Sequence, residues 1–457
     1  MSAMSYFRQI YAKILPSGKG RSEVVVRNIV MGIGLKGVSI ATSLIMVPLT
    51  INYVSPELYG VWISLFSIMA WLGFFDIGFT QGLKNKLAEA IAADEWEKGK
   101  TLVSTTYFVM VMIFLPLCII LALLTPYIPW TSLLNSDPVC EQEIIRTMQV
   151  LVFFFCLQMV VNVLVSVAAA FQKVALSSSF NVVGNVLALL MIYVLVKTCP
   201  PSMVALSIVV GAMPVLVTLV AGVWLFNGSF RRVAPTFTRT YIKTEYLGRL
   251  FNLGVKFFII NIQAVVLYQS TNVLISYVSS PIQVTYYNIA YRYLNVAMMF
   301  YTIIIAPLWP AYTDAYAHSD FEWMQRIRRK MTMVLLWSVL VCLLMIVVSG
   351  PVYQLWIGGE VTVPTSMTLA VGAYVVVYCW MTLNGTLIVG IGKVYLETIV
   401  VFVGMLVHIP LALGLSQSME AYGVIVSMTV VTLFYAVIFH IQVNRLLTQK
   451  AKGIWIK

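Results

Sequence analysis

Charge is scarce in this sequence. Of its 457 residues only 10% are Asp, Glu, Lys or Arg, while 60% are apolar. An ordinary soluble domain carries about 25% charge and about 45–50% apolar residues, so a soluble fold of this length would lack polar surface. Histidine and cysteine are also rare, at three and six, and no Cys/His run has metal-site spacing, so no metal is expected. No GxxxxGK[ST] occurs: Gly18-Lys19-Gly20 lacks the preceding glycine and the following Ser/Thr. No stretch between the apolar runs is long enough for a catalytic or nucleotide-binding domain, and no cofactor is expected. The net charge of +12 would suggest nucleic acid in a soluble protein, but no soluble domain is left to carry a groove for it.

What is present is a series of apolar runs of spanning length, each about 20 residues or more. Twelve are found, at residues 28–53, 57–82, 101–124, 147–170, 175–196, 203–226, 250–277, 282–312, 332–349, 366–389, 395–415 and 421–443. The chain is therefore expected to be an all-α polytopic membrane protein of twelve transmembrane helices. Residues 1–27, mixed polar and basic, read as a retained cytoplasmic segment rather than a cleavable signal. Of the 29 basic residues, 24 fall in the N-terminal segment, in the loops around residues 84–100, 173, 227–249, 313–331 and 393, and in the tail. The opposite side holds Arg146 and Lys197. That asymmetry places both termini in the cytoplasm, with contact between basic loops and anionic membrane lipids as a second consequence.

The halves of the sequence resemble each other. At an offset of 220 residues Gly34-Leu35-Lys36 matches Gly254-Val255-Lys256, Ser43 matches Gln263, Thr50 matches Ser270 and Asn52 matches Asn272. Both lead spans end in a similar turn, Tyr53-Val54-Ser55-Pro56 and Tyr277-Val278-Ser279-Ser280-Pro281. Six spans per half is an even number, so the repeats are parallel, and a central cavity with a site near the midplane is expected. The expected domains are a six-helix lobe over 28–226, a basic inter-lobe linker over 227–249, a second lobe over 250–443 and a basic tail over 444–457.

Three cations lie inside spans: Lys36, Lys256 and Arg292. On the first span Gly32, Lys36, Ser43 and Thr50 share a helical face, and on the seventh Asn252, Lys256, Gln263 and Ser270 repeat the spacing. The eighth carries Thr285, Asn288, Arg292, Asn295 and Thr302 on one face. Such stripes must face protein or a wet cavity, because a cation in hydrocarbon costs at least about 2.5–3.5 kcal/mol. Two readings stand. The cations can pair internally (Lys36 with Asp76; Lys256 or Arg292 with Asp314 or Glu397), and the lysines can snorkel. Alternatively they receive an anionic group of a substrate, for which the planar fork of Arg292 suits a phosphate. Ser43, Gln263, Asn288 and Asn295 are candidate hydrogen-bonders, with interhelical polar packing as the competing role.

His408, two residues before Pro410, is a candidate coupling group or a satisfied interhelical hydrogen bond. Asp76 and Asp314 are candidate gating or coupling residues near cytoplasmic span ends. Pro48, Pro116, Pro214, Pro307 and Pro410 are candidate hinges or tolerated kinks. Trp130, Trp309 and Trp356 read as interface anchors. Cys140 and Cys199 fall in outer loops, where they either pair or stay free.

The stretch from Pro48 to Tyr107 is more specific. It contains Pro48-Leu49-Thr50-Ile51-Asn52-Tyr53, Tyr59-Gly60-Val61-Trp62, Phe75-Asp76-Ile77-Gly78, Gly82-Leu83-Lys84-Asn85-Lys86-Leu87-Ala88-Glu89-Ala90 and Val103-Ser104-Thr105-Thr106-Tyr107. It resembles the Wzx-type O-antigen and polysaccharide translocases of the multidrug/oligosaccharidyl-lipid/polysaccharide (MOP) exporter superfamily, as does Pro307 through Lys330. The resemblance implies a MATE-like or lipid-flippase-like fold in the bacterial inner membrane. It implies a flippase for polyprenyl-diphosphate-linked oligosaccharide working by alternating access, alongside other polysaccharide-assembly membrane proteins, with Lys36, Lys256 and Arg292 as its cationic positions. An ion-coupled multidrug exporter is the alternative; a membrane-embedded glycan polymerase or ligase ranks last, since the outer loop 125–146 offers no paired acid/base groups.

Overall fold

The computed structural model describes residues 21–73, 79–238, 240–242, 265–305, 307–359 and 361–456. Every regular element among them is helical. In chain order the α-helices are α1 (Arg21–Val54), α2 (Pro56–Leu72), α3 (Phe79–Ala92), α4 (Trp96–Leu124), α5 (Trp130–Leu134) and α6 (Glu141–Val161). They continue with α7 (Val163–Ala170), α8 (Val174–Thr198), α9 (Met203–Asn227), α10 (Ser270–Val278), α11 (Pro281–Ile305) and α12 (Leu308–Ala317). The last five are α13 (Phe321–Val347), α14 (Ser349–Ile357), α15 (Thr365–Ile391), α16 (Tyr395–Met419) and α17 (Ala421–Leu447).

Among the described residues, ten helical stretches are long and apolar enough to cross a membrane. They correspond to ten of the twelve expected spans, making this a multi-pass membrane protein. The second expected span is described in two pieces: α2 ends at Leu72 after 17 residues, about 25 Å of rise, α3 begins at Phe79, and residues 74–78 between them lie outside the described residues. The seventh expected span is described only from Val265 onward, where a π-helical turn (Val265–Gln269) leads into α10. Pro48, Pro116, Pro214 and Pro410 lie inside unbroken helices. Pro307 instead stands at the start of α12, separating it from α11.

Contacts divide the chain into two compact units: Met1–Leu49, Leu72–Ile128 and Ile145–Phe258 form one, and Thr50–Trp71, Pro129–Ile144 and Ile259–Lys457 the other. In the first, α8 packs on α9 and α4 on α3. The basic segment after α9 folds back on α4. Ser104 Oγ accepts from the Thr236 amide at 2.9 Å, and Thr105 donates to the Tyr241 carbonyl at 3.1 Å. Rings of Trp96, Phe171 and Phe230 stack with centroids 6.5 and 4.5 Å apart. Arg232 lies 5.0 Å over Trp96, Lys173 5.0 Å over Phe230 and Lys100 4.2 Å over Tyr241. Cations that the sequence marks as topogenic thus also hold their loops, through attraction to aromatic faces.

The second unit is built around α15 and α17. Half of the most apolar stretch of each is buried, against 11% for α13, so α13 lies at the periphery. Close approach replaces the hydrophobic effect as the means of association between helices in lipid. At Gly404 on α16, any Cβ would overlap the ring of Tyr435 on α17, whose hydroxyl donates to the Val401 carbonyl at 3.0 Å. The short helix α5 also belongs here: Ser276 Oγ donates to the Leu134 carbonyl at 2.6 Å, and Asn135 Nδ2 donates to the Ser279 carbonyl. Trp130, expected at the interface, is instead 2% exposed in this packing. Its burial follows from the docking of α5, which the chain order does not reveal. All six cysteines are free thiols, Cys140 and Cys199 included.

Candidate substrate-binding site

Helix α11 carries the polar stripe. Its residues Thr285, Asn288, Arg292 and Asn295 recur at spacings of three and four and so share a face. Burial falls along the stripe: Thr285 is 0% and Asn288 7% exposed, while Arg292 and Asn295 are half-buried. The N-terminal end is taken up by packing against α2 and α10. Thr285 Oγ1 donates to the Pro56 carbonyl at 2.5 Å. Asn288 Nδ2 donates to Asn272 Oδ1 at 2.8 Å and to the Val284 carbonyl at 2.9 Å. Asn272 Nδ2 in turn donates to Ser67 Oγ at 2.8 Å, and Ser64 Oγ contacts the Asn272 carbonyl at 3.3 Å. In a low-dielectric interior these buried amides are costly unless paired, and here each amide nitrogen finds an acceptor.

Why α2 comes so close is local chemistry. Gly60 presents no side chain, and a Cβ there would overlap the Pro281 carbonyl. With that contact made, Tyr59 is 2% exposed, close enough to the Arg292 guanidinium to feel its charge. Asn295, one turn further, has a buried Oδ1 with no hydrogen-bond partner among the described residues. One helix face therefore carries a cation and an acceptor, groups suited to an oxyanion beside a hydroxyl-bearing group.

The other expected residues are dispersed or lie beyond description. Lys36 is exposed on α1, and Ser43, two turns on, is half-buried. Lys256, Gln263 and Asp76 lie outside the described residues. Asp314 is exposed on α12, its carboxylate 3.6 Å from His318 Nδ1. His408 is fully buried: its Nδ1 lies 3.1 Å from Ser427 Oγ, and that hydroxyl donates to the His408 carbonyl at 3.0 Å. Since one hydroxyl hydrogen serves the carbonyl, Nδ1 carries the ring proton, and Nε2 has no partner among the described residues. No group of three or more His, Cys, Asp or Glu able to hold a metal occurs among the described residues. Sequence reasoning missed Tyr59, Ser64 and Ser67. Their only signal is the recurrence of small and hydroxylated residues along one face of the second span.

The fold defines the class. It is similar to a multidrug resistance MATE family transporter of the MOP superfamily in an inward-facing conformation, with TM-score 0.70 and 13% identity over 90% of this chain and 94% of that one. It is also similar to the lipid II flippase MurJ in an inward closed conformation, with TM-score 0.67 and 13% identity over 91% and 87%. No curated protein matches the chain in sequence. Residues 25–315 match the family described as Polysaccharide biosynthesis protein, and the chain belongs to that family, within the MOP superfamily. With its ten apolar helical stretches among the described residues, it is a multi-pass membrane protein of that family.

Proposed function

We propose that the protein flips a polyprenyl-diphosphate-linked oligosaccharide, an O-antigen or other polysaccharide repeat unit, across the bacterial inner membrane by alternating access, with both termini cytoplasmic. The observation that carries this reading is Arg292: a guanidinium inside a spanning helix, on the polar face of α11 that also carries Asn288 and Asn295. A diphosphate is an anion that such a fork can grip with two parallel hydrogen bonds. The family's description and the fold shared with a lipid II flippase support the same substrate class.

Lys36 and Lys256 are the proposed companions of Arg292 in diphosphate binding. Ser43, Gln263, Asn288 and Asn295 are proposed as polar contacts, and Asp76, Asp314 and His408 as gating or coupling groups. Membrane lipids and other polysaccharide-assembly proteins are the proposed surroundings. The test is surface glycan display in cells that need this transporter. Lys36→Ala, Lys256→Ala and Arg292→Ala are each expected to reduce display, and undiminished display in all three variants overturns the reading. Drug-resistance assays on the same cells separate the flippase from a multidrug exporter, which would protect them.

A further inference from the structure

Helix α13 has two opposite faces. Met324, Leu335 and Cys342 are buried on one, and Arg328, four residues after Met324 and seven before Leu335, shares it. Arg328 Nη1 donates to Asn444 Oδ1 at 2.5 Å, and its Nη2 lies 3.1 Å from His440 Nδ1, which accepts because a guanidinium has only donors. Gln325 Nε2 donates to the Leu447 carbonyl at 2.9 Å. These bonds fix the N-terminal end of α13 to the C-terminal end of α17.

The other face is bare. Met333, Leu336, Trp337, Leu340, Leu344 and Val347 are exposed along it with the helical period. Towards the N-terminus the same face continues through Arg326, Arg329 and Lys330, all exposed. Several cations elsewhere have partners within the protein: Lys86 pairs with Glu89 at 2.7 Å and Lys98 with Glu95 at 2.6 Å, while Arg232 and Arg445 lie 5.0 and 4.4 Å over the rings of Trp96 and Trp455. Among the described residues, Arg326, Arg329 and Lys330 have neither a carboxylate nor a ring. Glu322, one turn before Arg326, stands on their face but forms no ion pair with them among the described residues.

We propose that this face of α13 binds an anionic phospholipid, with the headgroup phosphate on Arg326, Arg329 and Lys330 and the acyl chains along the apolar residues above. The lengths agree: Met333 to Val347 rises about 21 Å, and the hydrocarbon of one leaflet is about 15 Å thick. So does the charge. A zwitterionic headgroup brings its own cation, whereas an anionic one is favoured by each basic side chain at the membrane surface. With both termini in the cytoplasm, as proposed above, this end of α13 lies at the cytoplasmic leaflet. A row of charges that served topology alone would favour no one position for a lipid. Here the helix end is fixed to α17, so the three cations keep one geometry. The site is independent of what the protein transports.

The experiment is native mass spectrometry of the full chain in detergent with equimolar phosphatidylglycerol and phosphatidylcholine. Wild type should retain phosphatidylglycerol over phosphatidylcholine by at least about tenfold, as three basic contacts imply. The triple variant Arg326→Gln, Arg329→Gln, Lys330→Gln should lose that preference with Tm unchanged. The triple variant Lys84→Gln, Lys86→Gln, Lys98→Gln removes the same charge elsewhere and should keep it. Glycerol phosphate, a headgroup without chains, should not displace the bound lipid. No preference in wild type, a preference kept by the first variant, or equal loss in both variants would each overturn the proposal. Displacement by glycerol phosphate would do so too, since it would mark a site for free phosphate rather than lipid.

Discussion

Asn272 and Asn288 share a hydrogen bond of 2.8 Å, Nδ2 of Asn288 to Oδ1 of Asn272, at the point where α10 and α11 meet. Because Asn272 passes the interaction on to Ser67 and Ser64, this pair ties three helices. Asn272→Ala leaves Asn288 and Ser67 with unmatched polar groups in a buried place. Unsatisfied groups of this kind cost about 1–3 kcal/mol, so the variant should lower Tm measurably in detergent-solubilised protein. Ser67→Ala removes only the chain's last hydroxyl and should cost less than half as much.

Gly60 gives a sharper prediction. Gly60→Ala places a methyl group against the Pro281 carbonyl, backbone that cannot swing away. Overpacking typically costs about 1–3 kcal/mol, and here it pushes α2 away from α11, which carries Arg292. The variant should show a lower Tm. Gly34→Ala, with nothing near the added carbon, serves as the control and should leave it unchanged.

His408 is held by one partner. Ser427 Oγ both receives the ring Nδ1 and donates to the His408 carbonyl, so Ser427→Ala removes two hydrogen bonds between α16 and α17. With interhelical hydrogen bonds in membranes worth about 0.6–2 kcal/mol each, a loss of about 1–3 kcal/mol is expected in thermal unfolding. Ser427→Thr, which keeps the hydroxyl, should recover most of it.

Trp130 tests the docking of the short helix α5. Its side chain is buried, and α5 is tied to α10 by the bond from Ser276 to the Leu134 carbonyl. Trp130→Ala should therefore destabilise by about 3–5 kcal/mol. A residue that merely marked the membrane interface would tolerate the change, with Tm shifting by only a degree or two.

Much of the architecture was legible from hydropathy. Ten apolar runs correspond to helices because in lipid every backbone amide must be paired within its own segment, and a helix does this. The second expected run is described only on either side of residues 74–78, which lie outside the described residues. Arg292 was legible as a charge out of place. Tyr59 was not: an aromatic residue in an apolar run has no distinguishing mark, and Arg292 is brought near it only by the packing of α2 on α11. Asn272 and its repeat mate Asn52 show the same limit. The offset aligns them in sequence, yet Asn272 is buried in the polar network and Asn52 is exposed.

Translocation of a defined polyprenyl-diphosphate-linked oligosaccharide in proteoliposomes tests the central claim most directly. The expectation is transport by wild type above protein-free vesicles, slowed at least about tenfold by Arg292→Ala, as loss of a charge-assisted contact implies. Equal transport by wild type and Arg292→Ala would contradict the account.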